Sequence, residues 1–254
     1  MKSRFALVHN VLPVIAMALV FFLSATAEAK KGRTFSVNEI VQYFDTIVFG
    51  AELDQKYAAK MISKWQGPVG FSIQGRVRKE HATFIQTHLQ AIAKITRLKF
   101  KQVDRKSNEP SISLIFVKGA EMGKIPVPGD AREAMKKAAV NANCYFITWK
   151  KPESRIVKAI IVVDVEKDPA ILNSCLLEEL TQSLGLPNDS NMLRPSIFSD
   201  RDHLFEMSPQ DKILLHTLYH PAMKPGYTRS QAKKAAYTII SQMAKKKTKK
   251  KPAK

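Results

Sequence analysis

The segment Cys175-Leu176-Leu177-Glu178-Glu179-Leu180-Thr181-Gln182-Ser183-Leu184-Gly185-Leu186-Pro187-Asn188-Asp189 decides how the chain is read. It continues from Asp168-Pro169, which has the form of a helix start: aspartate caps free N–H groups and proline suits the first turn. Leu176, Leu177, Leu180 and Leu184 supply an apolar stripe at helical spacing, so a helix is predicted from Pro169 to Leu184. Gly185, which tolerates a left-handed backbone, is the expected stop. Glu178 and Gln182 stand four apart and share a face, with Glu179 one residue round the turn.

Upstream, Cys144–Trp149 and Ile156–Val165 read as a hairpin around Lys150-Lys151-Pro152-Glu153. Leu98–Val103 and Ile112–Val117 read as strands, the second apolar enough to be buried on both faces. Residues 65–77 contain Pro68, Gly70 and Gly75 and read as extended. Helices are predicted over Val37–Val48, after Ser36, and over His81–Thr96. Residues 118–130 hold three glycines and two prolines and form a loop, followed by a short helix from Ala131. Downstream, Ser208 and Asp211 have the spacing of a reciprocal helix cap. No repeat or interdomain linker interrupts this order, so one α+β domain is expected over residues 34–243.

Both ends differ in composition. Lys2 and Arg4 precede the apolar run Val11–Leu23, and Ala27-Glu28-Ala29 follows before Lys30. That order is a secretory signal over residues 1–29, with cleavage after Ala29; a retained anchor is the alternative. Export to the periplasm or extracellular space follows, with no membrane span left after cleavage. Residues 244–254 carry seven lysines and no acid. Mutual repulsion predicts a disordered tail there. The formal net charge of +19, from 41 Lys and Arg against 22 Asp and Glu, favours anionic partners. An exported chain does not meet chromosomal DNA. No specific nucleic acid is therefore expected, and an anionic envelope component or a peptide segment is. The two cysteines are too few for a four-cysteine zinc site. In an oxidising compartment Cys144 and Cys175 should form a disulfide joining the hairpin to the helix.

Residues 178–188 resemble the extended metzincin zinc motif, H-E-x-x-H-x-x-G-x-x-H. In that family two histidines one turn apart hold zinc, the glutamate between them activates water, and the glycine bends the chain toward a third ligand. The resemblance puts Glu179 at the general-base position and Gly185 at the bend. Glu178, Gln182 and Asn188 stand at the three ligand positions. Residues 207–219 are similar to the helix that closes a matrixin-type domain. Pro195-Ser196-Ile197-Phe198 falls near the family's methionine turn but lacks the methionine. The exported body also resembles an uncharacterised bacterial family of secreted and lipoprotein-type proteins, a domain of unknown function. The shared residues are Cys175–Gln182, Leu184–Asp189, Tyr219-His220-Pro221 and Lys224-Pro225-Gly226. These resemblances imply a zincin-like α+β fold, a mixed sheet packed on the motif helix with further helices at both ends.

The ligand types argue against the parent chemistry. Zinc prefers imidazole and thiolate, and a carboxamide oxygen is a poor donor. No zinc and no resident cofactor are expected. Calcium or magnesium stays open, with Asp189 as an added oxygen. Three functions follow: a non-catalytic pseudo-protease that binds or scaffolds in the envelope, a metal-dependent hydrolase with oxygen ligands, or electrostatic adhesion to anionic polymers. Among the histidines, His81 and His88 share a helix face, His203 lies in a loop, and His216 and His220 are four apart without an acidic third ligand. Ser190 and Ser199 have no local base for a serine hydrolase.

Overall fold

Reciprocal capping starts the first helix. Ser36 Oγ accepts from the Glu39 amide, and the Glu39 carboxylate accepts from the Ser36 amide, at the N-terminus of α1 (Val37–Phe49). The structure is a computed structural model and describes residues 34–51, 56, 58–127 and 131–249. The signal segment 1–29 and residues 250–254 lie outside the described residues. After α1 come β1 (Val69–Gly75), α2 (Lys79–Thr96), β2 (Phe100–Gln102), β3 (Ser111–Val117) and the short α3 (Gly119–Met122). Then follow α4 (Ala131–Ala138), β4 (Cys144–Lys150), β5 (Ile156–Asp164), α5 (Pro169–Gln182), α6 (Pro209–Tyr219) and α7 (Arg229–Lys249).

The fold is α+β, with one mixed five-stranded sheet in the order β2-β1-β3-β5-β4. The pairs β2–β1, β1–β3 and β3–β5 are parallel, and the edge strand β4 runs antiparallel to β5. Side-chain alternation on β5 explains its continuous apolar run. Ala159, Ile161 and Val163 enter the main core, while Ile160 and Val162 join a smaller cluster with Met122, Met135 and Tyr145. On β3, Ile112, Leu114 and Phe116 are fully buried, but Ile115 and Val117 are only half-buried. The second face of β3 is thus partly covered, not closed as the apolar pattern predicted.

Three element ends depart from expectation. β2 is shorter than Leu98–Val103, because the parallel register with β1 spans only Phe100–Gln102. α5 ends at Gln182, two residues before Leu184, where the Gly185 and Leu186 amides both turn back to the Gln182 carbonyl. α7 continues to Lys249, well into the segment expected to be disordered. Alanine and lysine are strong helix formers, which favours continuation of the helix. Among the described residues no helix is long and apolar enough to cross a membrane.

Two polar anchors fix the helices around the motif. The buried Asp45 on α1 receives Arg229 of α7 through two hydrogen bonds of 2.8 Å. Asp211, fully buried, completes the expected cap with Ser208 at the start of α6. The same carboxylate accepts from the Ile197 amide (3.1 Å) and Ser196 Oγ (2.6 Å). Ser196 has one proton to give, so the Tyr43 hydroxyl, 2.7 Å away, donates to it. The segment Pro195–Phe198 is thereby strapped to α6 and α1 at once.

Candidate functional site

The motif helix and the edge strand form the two walls of one cleft. The apolar side of α5 is consumed by the core through Leu172, Leu176, Leu177 and Leu180. Its other face presents Cys175, Glu178, Glu179 and Gln182 to a cleft of about 530 Å³. Across from them stand Cys144–Thr148 and Lys150 of β4, and the rim is completed by Asp189, Ser199, Asp200, Asp202 and His203. Among the described residues β4 pairs with β5 alone, so its other edge borders the cleft without a strand partner there.

The turn after α5 sorts the downstream residues. Gly185 adopts a φ of +112°, and a Cβ there would strike the Ser63 carbonyl oxygen. The turn returns Asp189 to the cleft, where its Oδ1 accepts from Gln182 Nε2 at 2.5 Å. Asn188, expected at a ligand position, faces elsewhere. Its Nδ2 donates to the Thr46 carbonyl (3.2 Å) and its amide to the Ile47 carbonyl (3.2 Å). It therefore covers the last carbonyls of α1, packed so closely that only a glycine fits at Gly50. The structure brings Glu178, Glu179, Gln182 and Asp189 together and leaves Asn188 out.

This set does not fit the zinc that the motif implies. One of the three ligand positions is turned to α1, and the Gln182 amide is engaged by Asp189. Among the described residues, one group of three metal-type ligand atoms lies within 4.8 Å of one another: Cys144, Cys175 and Glu179. Its two sulfurs are joined as the expected Cys144–Cys175 disulfide, with Cα atoms 6.2 Å apart. The rings of His216 and His220 lie tilted to one another, 5.7 Å apart, on α6 and its cap, outside the cleft lining.

Carboxylates outnumber bases among the charged residues of the lining. Glu178, Glu179, Asp189, Asp200 and Asp202 outnumber Lys137, Lys150 and His203, although the chain as a whole is strongly basic. Glu179 is 8% exposed and Glu178 is half-buried, so water screens these charges incompletely. Asp202 is held by Arg194 through contacts of 3.1 and 2.6 Å, and that bond keeps its carboxyl below the usual range. Asp200, Asp202 and His203 carried no local signal in the sequence; the strap at Ser196 and Asp211 delivers them to the rim.

Comparison with the curated proteins gives no match. A family described as "Protein of unknown function (DUF2927)" matches residues 37–237. That span runs from α1 into α7 and takes in both walls of the cleft, the Gly185 turn and the strap. The chain belongs to the DUF2927 family.

Proposed function

We propose that this is an exported, zincin-like pseudo-protease whose cleft binds an extended peptide segment bearing a cationic side chain, without cutting it. The observation that carries the reading is the edge of β4, which has no strand partner among the described residues and runs along a cleft whose opposite wall is acidic. An open strand edge offers main-chain donors and acceptors to an added strand. The carboxylates supply selectivity for lysine or arginine at a side-chain position facing α5. The zincin-like part of the reading is supported by Glu179 on the motif helix, the sharp Gly185 turn and the capped helix α6. The non-catalytic part is supported by the absence of imidazole from positions 178, 182 and 188 and by the Gln182–Asp189 bond. Export is supported by the basic-apolar-small order of residues 1–29 and by the disulfide.

Fluorescence anisotropy with labelled decapeptides tests this. A peptide with a central lysine should bind, and one with glutamate in its place should bind at least about tenfold more weakly. Alternate N-methylation of the backbone should abolish binding, since it removes the strand's donors. Glu178→Gln should weaken the lysine peptide alone. Equal binding of the lysine and glutamate peptides would overturn the proposal. Cleavage of the bound peptide, read by mass spectrometry, would favour the metal-dependent hydrolase.

A further inference from the structure

We propose that Cys144, Cys175 and Glu179 form a redox-gated metal site: closed while the disulfide is intact, and able to hold one zinc ion once it is reduced. The three ligand atoms lie within 4.8 Å of one another, close enough for a single ion to touch all three. Each sits on a rigid element. Cys175 and Glu179 are four apart on α5 and so project from one helix face. Cys144 opens β4, whose pairing with β5 begins at that residue. Breaking the S–S bond therefore leaves the two sulfurs facing each other across the head of the cleft.

The chemistry matches zinc. Two thiolates and a carboxylate are within its ordinary ligand set, and the fourth position would open on the cleft for water. The three ligand groups are buried but their residues line the cleft, the side from which a small reductant and the ion would approach. The opening step is thiol–disulfide exchange with a dithiol: two electrons and two protons pass to the cystine, giving two thiols, and the dithiol leaves as its own disulfide. Metal binding then displaces the two thiol protons. Glu179 acts here as a ligand. The site uses two sulfurs that the motif positions 178, 182 and 188 do not contain, and it shares Glu179 with the motif helix.

Cobalt(II) titration of the full chain tests the proposal, because thiolate ligation gives a sulfur-to-cobalt absorption band and tetrahedral geometry gives intense visible bands. After reduction and removal of the reductant, one equivalent of cobalt should bind, displaceable by zinc, at least about 100-fold more tightly than to the oxidised chain. Cys175→Ser should remove the tight binding. Glu179→Gln, which keeps both thiols, should weaken it by roughly tenfold or more. Equal binding before and after reduction would overturn the proposal. So would unchanged affinity in Glu179→Gln, which would mean two loose thiols only. Loss of the helical circular dichroism signal on reduction would also overturn it, because the fold would then not be holding the ligands. None of these results bears on the peptide reading, which is tested on the oxidised chain.

Discussion

At the scale of single residues, Gly185 and Asn188 occupy one short turn and fail differently when replaced. Gly185→Ala meets a backbone carbonyl and a left-handed φ together, so it should lower stability by about 2–4 kcal/mol. Urea unfolding would read this as a lower midpoint with an unchanged slope. Asn188→Ala removes the amide that covers the Thr46 carbonyl and should cost about 1 kcal/mol. It should leave peptide affinity untouched, since the side chain faces α1. A matching loss of affinity in Asn188→Ala would return that residue to the site. The distinction was not visible in the sequence. The metzincin spacing points to Asn188, and only the bond between Gln182 and Asp189 shows that the next residue is the one returned to the cleft.

Among elements, the contact between β4 and α5 is the one reinforced covalently. The disulfide spans 31 residues, and Cys144→Ala/Cys175→Ala should cost roughly 3–4 kcal/mol on chain-entropy grounds. The unfolding midpoint of the double variant measures this, and thiol labelling of the denatured, unreduced chain should find no free thiol. The caps at Ser36, Asp168 and Ser208 were legible, because each bonds to backbone within three residues. The hairpin was legible from its turn and its flanking apolar runs. Which strands lie side by side was not: β1 sits between β2 and β3 through parallel pairings that no local pattern encodes. The acidic rim was hidden for the same reason, since residues 199–203 are placed by bonds within the 191–211 segment and by the buried pair Ser196 and Asp211, none of which a local pattern encodes. The length of α7 was not legible, because charge repulsion and helix propensity pull in opposite directions in its lysine-rich end.

Across the whole molecule, buried bases tie stability to pH. His81, stacked 4.8 Å from Phe116, and His88, bonded to Asn173, are both pulled below the ordinary histidine range by burial. Below about pH 6.5 the unfolded chain takes up protons that these folded side chains resist. Stability should hold near neutrality and fall as pH drops through that range. Burial likewise brings Lys64 down to about 8, with its ammonium donating to the Leu218 and Met223 carbonyls. The unfolded lysine keeps its proton up to about pH 10.4, so this group adds stability as pH climbs from about 8 toward that value. Urea midpoints at successive pH values test both signs. His81→Phe should flatten the acid limb, and an unchanged slope would remove His81 from the account.

The two ends of the cleft are fastened by bonds of different kinds. At Cys144 its walls are joined by a covalent bond, whereas at Lys150 the strand is held by hydrogen bonds beside a register shift. Thermal breathing of the gap should therefore be smallest at the stapled end and grow along the strand, which amide hydrogen exchange along β4 reads. Such a cleft would act as a tapered gauge with one fixed point. If the cleft takes the peptide proposed above, bulky side chains should be tolerated better toward Lys150 than beside the disulfide, so that affinity depends on residue order as well as on charge; anisotropy with peptides carrying one tryptophan at successive positions reads this.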